Sequence, residues 1–205
     1  MISIRAQNPD ERLIKQAATV LQQGGVVILP TDTIYALVAD IYHTKALDRI
    51  GKIKGVKIEK ANFSFLCSDL SNIAAYTKHF NRNIYKLLNR ALPGPYTFIL
   101  EANNEVPSIF RSRKKTIGIR VPDHEIICRI IEIIGHPLLA TSLHADNAIT
   151  EYPTDPNEIE EQFGTVVDLI VDAGYGSNVP STVIDCTSGE PEVIREGAGS
   201  LKVLM

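Results

Sequence analysis

The chain has 205 residues, of which 44% are hydrophobic and 22% charged, and its formal net charge is −3. That length can bury a full core, and the composition is that of an ordinary globular protein rather than a disordered or fibrous chain. The slightly acidic balance excludes a globally basic nucleic-acid binder, so any polyanion site must be a local patch.

In chain order, Asn8-Pro9-Asp10-Glu11 reads as a helix start, with Asn8 as cap, Pro9 in the first helical position and acids at the positive end of the helix dipole. Leu13, Ile14, Ala17, Ala18 and Leu21 keep one apolar face until Gly24-Gly25 stops the helix. The β-branched run through Leu29 then predicts a buried strand, and Pro30 ends it. A helix is expected from Thr44 through Ile53, a strand from Phe63 to Cys67 and a further helix from Asn81 to Arg90. Tyr96 to Leu100 and Thr116 to Val121 read as strands, the second alternating Ile117, Ile119 and Val121. Asp123 is the expected cap of a helix that runs through Ile134 and stops at Gly135. Strands are expected at Pro137 to Thr141, Leu169 to Val171, Thr182 to Asp185 and Val193 to Arg195, with a polar loop over residues 143 to 157. Helices and strands alternate early and strands dominate late. This predicts an α/β fold, one twisted open sheet of mixed direction flanked by helices, in a single domain over residues 1–205.

No leader and no apolar run of membrane-spanning length is visible, so a cytoplasmic protein without a membrane partner is expected. Cys67, Cys128 and Cys186 are far apart in apolar segments, which predicts buried thiols and no metal site. Phosphate-loop, dinucleotide, HExxH and GxSxG signatures are missing, and the five histidines are scattered singly.

Several polar segments sit where sheets of this kind place ligands. Pro30-Thr31-Asp32-Thr33-Ile34-Tyr35-Ala36-Leu37 gathers three oxygen-bearing side chains and a tyrosine after a strand. Its bland alternative is a turn whose Thr and Asp bond their own backbone. Lys52, Lys54, Lys57 and Lys60 form either a solvated face or a cationic rim for a polyphosphate or an RNA backbone. Arg120 ends an apolar strand, where an unpaired guanidinium is costly, so it must meet either a carboxylate such as Asp32 or Asp185 or a ligand anion. Thr141-Ser142, Ser181-Thr182 and Arg195 add hydroxyls and a second guanidinium.

Taken together, PTDTIYAL, IKG, PGPYT, IGIRVP, ATS, STVID and IREG, in this order over about residues 10 to 200, resemble the YrdC/YciO-type family. Asn62-Phe63-Ser64, the Lys114-Lys115-Thr116 approach to IGIRVP, and Thr141-Ser142-Leu143 lean toward the YciO branch. The resemblance implies a sheet with a concave, basic cavity and an ATP-dependent nucleotidyltransferase chemistry. In that chemistry L-threonine, bicarbonate and ATP give threonylcarbamoyl-AMP and pyrophosphate, with Mg2+ bridging the phosphates. A transfer protein then carries the threonylcarbamoyl group to tRNA. Carried over by position, Thr31, Thr33, Tyr35 and Arg120 line the threonine pocket, with Lys54 and Arg120 as the catalytic cations. Lys54, Ser142, His144, Ser181, Thr182 and Arg195 hold the nucleotide. The family's Lys-x-Arg and Ser-x-Asn motifs read here as Lys54-Gly55-Val56 and Ser142-Leu143-His144, and Ala36 stands at a usual glycine. The alternatives are an RNA-binding protein (tRNA or double-stranded RNA) without synthase turnover, and a nucleotide-binding regulatory module.

Overall fold

The computed structural model describes residues 1–57, 63–110, 115–143 and 152–205. The chain opens with strand β1 (Ile2–Ser3), helix α1 (Glu11–Gln22), β2 (Val27–Leu29), β3 (Ala36–Asp40) and α2 (Thr44–Lys54). Then follow β4 (Ser64–Leu66), α3 (Leu70–Tyr76), α4 (Arg82–Ala91), β5 (Tyr96–Glu101), β6 (Thr116–Arg120) and α5 (Glu125–Ile134). The last third carries β7 (Leu138–Ser142), α6 (Pro156–Phe163), β8 (Leu169–Asp172), β9 (Thr182–Asp185) and β10 (Glu192–Arg195).

All the strands join one ten-stranded sheet in the order β1-β8-β2-β3-β7-β4-β6-β5-β9-β10. The β1/β8, β2/β8, β4/β6 and β5/β9 pairs are parallel and the remaining pairs antiparallel, which is the expected mixed sheet. Side-chain alternation splits the core across its two faces. Val27 and Leu29 of β2 point with Val38 and Ala140 toward α1 and α5, meeting Ile14, Leu21, Ile127 and Ile130. Ile28, on the opposite face, packs with Phe65, Phe98 and Ile119 under α2, α3 and α4, through Leu47, Ile73, Leu87 and Leu88.

Several boundaries differ from expectation for local reasons. Asp10, not Asn8, caps α1, its Oδ1 accepting from Arg12 N at 2.8 Å, so Pro9 lies outside the helix. His124 rather than Asp123 occupies the cap position of α5, and its side chain makes no capping bond. β3 begins inside the segment read as a polar motif, at Ala36, and runs on beyond it to Asp40, buried along its whole length. The expected loop over residues 143 to 157 gives way to α6 at Pro156, where Asp155 caps the helix through Asn157 N at 2.9 Å; residues 144–151 lie outside the described part. Cys67 and Cys186 are buried as expected, but Cys128 is only partly so. Among the described residues, no helix is long and apolar enough to cross a membrane.

Candidate functional site

Helices α1 and α5 cover only part of their face of the sheet. The same alternation that sends Ile117 and Ile119 of β6 into the opposite core turns Gly118 and Arg120 to this face. It does likewise for Thr97 in β5, between buried Tyr96 and Phe98, and for Ser64, which pairs directly with Gly118. Ser64, Thr97 and Gly118 are each only partly buried. By the same parity Ser142 shares the face of Ala140, and Ser181 the face of Val183. The result is a floor of small and hydroxyl side chains where a helix-covered sheet would place Val or Leu.

Arg120 lies at one edge of this floor, four strand steps from β2 in the sheet. A twist of roughly 20–25° per strand accumulates to about 80–100° over that distance, which lets the connection between β2 and β3 meet the end of β6. Arg120 Nη2 donates to Asp32 Oδ1 at 2.5 Å, to Thr33 Oγ1 at 2.9 Å and, at 3.4 Å, to Thr31 Oγ1. The Asp32 and Arg120 side chains are 9% and 8% exposed, so the ion pair is buried. Of the two partners the sequence offered, the structure selects Asp32; the Asp185 carboxylate instead binds the backbone and hydroxyl of Thr187. Burial pushes the Arg120 pKa down, Asp32 opposes that shift, and the Arg195 charge adds to it. Two guanidinium groups thus act on one region, a local concentration of positive charge suited to an anion.

The turn is held from within. Thr31 Oγ1 donates to Ile34 O at 2.7 Å and accepts from Thr33 N at 3.1 Å, so the bland reading of this segment holds for Thr31, while the Asp32 carboxylate turns to Arg120 instead of its own backbone. Tyr35 turns away from the arginine. Its hydroxyl donates to Gly174 O at 2.7 Å and accepts from Ala173 N at 3.2 Å. The loop after β8 therefore packs on the turn, where Ser177 N donates to Thr33 O at 3.1 Å. A Cβ on Gly176 would come within 2.8 Å of the Tyr35 ring, so only glycine allows that approach.

Lys54, the last residue of α2, is 2% exposed. Its Nζ donates to Ser142 O at 3.1 Å and to Ser142 Oγ at 3.2 Å. Gly55, with φ +70°, ends the helix in the left-handed region, and Val56 N closes it on Gly51 O at 3.0 Å. Ser142 pairs with Ala36 across β7 and β3, which joins the lysine to the Thr31–Tyr35 turn. At the far side Arg195 donates to Ser181 O through Nη2 at 2.8 Å and Nε at 3.2 Å. The Ser181 and Thr97 hydroxyls lie 2.7 Å apart.

Sequence-derived candidates therefore fall into three linked groups: Thr31, Thr33 and Arg120; Lys54 and Ser142; Ser181 and Arg195. Thr182 stands apart, fully buried, donating to Gly199 O at 2.7 Å and accepting from Gly197 N at 3.0 Å. His144 and Lys60 lie outside the described residues. Asp32 was offered only as a possible partner of Arg120; Ser64 and Thr97 had no assigned role, and only the strand parity beside PGPYT and IGIRVP pointed to them. Among the described residues no group of three or more His, Cys, Asp or Glu side chains could hold a metal ion. The donors present are cations and hydroxyls, a set for anions.

The family Sua5_yciO_yrdC, described as telomere recombination, matches residues 19–197. A protein of Haemophilus influenzae is 42% identical over 198 residues, 96% of this chain and 95% of its own. The uncharacterized protein YciO of Escherichia coli K12 is 41% identical over 202 residues, 97% of this chain and 96% of its own. The crystal structure of E. coli YciO superposes with a TM-score of 0.92 and 38% identity, covering 100% of this chain and 98% of that one. Sua5 of Pyrococcus abyssi, solved in complex with L-threonine, superposes at 0.85 with 29% identity, covering 96% of this chain and 58% of that one. With the sheet order, the turn after β2 and these matches in agreement, the chain belongs to the Sua5/YciO/YrdC family.

Proposed function

We propose that the protein is an ATP-dependent threonylcarbamoyl-AMP synthase-like enzyme of one domain, working at a basic cavity over the polar floor. The observation that carries this reading is the buried Arg120 guanidinium, held by Asp32 and Thr33 within range of the Arg195 charge. It is supported by the Sua5 structure in complex with L-threonine and by the threonylcarbamoyl-AMP synthases among the more distant relatives.

In this reading Thr31, Thr33, Tyr35 and Arg120 shape the amino-acid pocket. The hydroxyls order the turn, Tyr35 anchors the loop behind it, and Arg120 offers positive charge to the threonine carboxylate or carbamate. The amine takes up bicarbonate with loss of water. A carbamate oxygen then bonds to the α-phosphorus of ATP while the bridge to the β-phosphate breaks, and pyrophosphate leaves with its electron pair. The protein supplies position and charge rather than a nucleophile. Lys54 and Arg195 neutralise the phosphates; Ser142, Ser181 and His144 frame the nucleotide, while Thr182, fully buried, serves only to hold the backbone at Gly197 and Gly199, and Mg2+ travels with the phosphates rather than in a protein cage. The product passes to a transfer protein serving tRNA modification.

Pyrophosphate release with ATP, Mg2+ and bicarbonate, with and without L-threonine, tests the proposal. Threonine-dependent release that falls at least about a hundredfold in Lys54→Ala is expected, the usual effect of removing a cation aimed at transition-state charge. Release independent of threonine, or unchanged in Lys54→Ala, refutes it.

A second reading, RNA binding without turnover, is favoured by one feature. Val56 puts no cation where the family carries arginine, while Lys45, Lys52 and Lys57 stand exposed along and just beyond α2. Binding of tRNA or double-stranded RNA that weakens linearly with the logarithm of salt, without any effect of ATP, supports this reading; absence of binding removes it.

A further inference from the structure

β10 is an edge strand that pairs only with β9, and its register is irregular. Glu192 pairs with Asp185 and Val193 with Ile184, but Arg195, not Ile194, pairs with Val183. Ile194 is therefore the extra residue of a β-bulge, and its side chain stands 54% exposed. In a regular ladder Arg195 would oppose Thr182 and share its face with Ile184, on the core side of the sheet away from the polar floor. The bulge reverses that parity and turns Arg195 to the face of Val183 and Ser181. There its guanidinium donates to Ser181 O from Nη2 at 2.8 Å and from Nε at 3.2 Å, with Ser181 Oγ 3.5 Å from Nη2.

The chain just beyond Arg195 is clamped to the start of β9. Gly197 N donates to Thr182 Oγ1 at 3.0 Å, Thr182 Oγ1 donates to Gly199 O at 2.7 Å, and Ala198 N donates to Pro180 O at 2.8 Å. A Cβ on Gly197 would stand 2.2 Å from Pro180 O, so the two backbones cross in direct contact. One fully buried hydroxyl thus bonds both sides of Ala198 and fixes where the end of β10 lies against β9.

We propose that Thr182 is a positioning residue whose hydroxyl locks the end of β10 in its bulged register and so aims Arg195 at an anion beside Ser181 and Thr97. The proposal rests on the synthase reading only for the identity of that anion, the phosphates of ATP. Valine has the shape of threonine but can neither accept from Gly197 N nor donate to Gly199 O. With the lock gone, a slip of one residue relieves the bulge. It would turn Arg195 off the floor and bring Glu196 opposite Ser181, a carboxylate in place of a guanidinium.

Two measurements test this on the full chain, with thermal unfolding of each variant as a check of folding. The first needs no ligand: 15N relaxation of the Arg195 Nε–H group. The group should be ordered in the wild type and in Thr182→Ser, which keeps the hydroxyl, and mobile in Thr182→Val. Equal order in the wild type and Thr182→Val overturns the proposal. Should Thr182→Val fail to fold, deletion of Ile194 from the otherwise unchanged chain is the second variant. Arg195 then follows Val193 directly, regular alternation alone turns it to the floor, and the ordered Nε–H group should persist; its loss overturns the register argument and the proposal with it.

The second measurement is the affinity for MgATP by titration calorimetry. Thr182→Val should weaken binding about tenfold, the worth of one oriented charge-assisted hydrogen bond, and Thr182→Ser should recover most of it. In an Arg195→Gln background Thr182→Val should add no further loss, because it acts only through the guanidinium. Fully additive losses, or equal defects in the Ser and Val variants, overturn the proposal. A wild type that binds no MgATP removes the synthase reading and leaves the relaxation experiment to decide the positioning role.

Discussion

Replacing Asp32 by Asn removes the charge opposite Arg120 and changes almost nothing in size. The pair is 2.5 Å apart with both side chains under a tenth exposed, so water cannot take over the role of the lost charge. Removing one member of a buried pair costs about 3–5 kcal/mol, mostly for stranding the other ion. The amide oxygen can still accept from Nη2, which places Asp32→Asn near the lower end, at about 3 kcal/mol. For a chain of this length that corresponds to a fall in Tm of about 6–12 °C. Adding Arg120→Met removes the stranded ion and should return most of the loss, because a well-packed apolar pair often equals a buried ionic one. The exposed Lys78–Glu101 pair, at 3.4 Å with side chains 52% and 50% exposed, is the built-in control. Glu101→Gln should shift Tm by no more than about 4 °C, since surface pairs contribute at most about 1 kcal/mol. Scanning calorimetry on the four proteins checks this. A shift for Asp32→Asn as small as that for Glu101→Gln, or a double variant less stable than the single, would refute the argument from burial.

Other expectations follow from the same contacts. Gly55→Ala meets no neighbouring atom but must hold a left-handed backbone, so it should destabilise by about 1 kcal/mol, loosen the end of α2 and raise KM for ATP through Lys54; urea denaturation and steady-state kinetics read the two effects. Tyr35→Phe strands Gly174 O and Ala173 N, which should cost about 1–2 kcal/mol and speed amide exchange over residues 173–177 without changing exchange in α1. His124 should make stability depend on pH. Its folded pKa is depressed, so the unfolded chain binds more protons than the folded one. Its contribution is full above the unfolded value of about 6.5 and is lost as pH falls through the lower folded value. Urea midpoints from about pH 7.5 to pH 5 should decline less steeply in His124→Gln; parallel slopes would contradict the burial of the imidazole.

Much of the fold was legible because local chemistry and tertiary structure agree in its long elements. The apolar stripe of α1, the alternation in β6 and the glycine stop after α5 each fix an element without outside help. The elements that escaped are those whose local signals are weak. β1 is two residues long, and α3 spans seven residues with Asp69 as its cap. β3 was hidden because Ala36 to Asp40 looks like the tail of a ligand turn, and only pairing with both β2 and β7 makes it a central strand. At the site, the sequence pointed to Arg120 as an arginine in need of an anion but could not choose between Asp32 and Asp185. The choice depends on how far a ten-stranded sheet twists, which no local window contains. Tyr35 shows the converse: its position in the turn was right, yet its hydroxyl serves the loop after β8.

The placement of β8 has a consequence for how the protein is made. β8 lies between β1 and β2, pairing Val171 with Ile2 and Ile170 with Ile28, both in parallel. The two outer strands leave the ribosome more than 140 residues before the strand that joins them. Until Leu169–Asp172 emerges, β2 has an open edge and β1 has nowhere to bind, so that margin of the sheet cannot close during synthesis. Parallel pairings over such separations carry a large loop-closure cost and fold slowly. The nascent chain therefore waits with an unpaired Val27-Ile28-Leu29 edge, and it is there that a chaperone would find its hold.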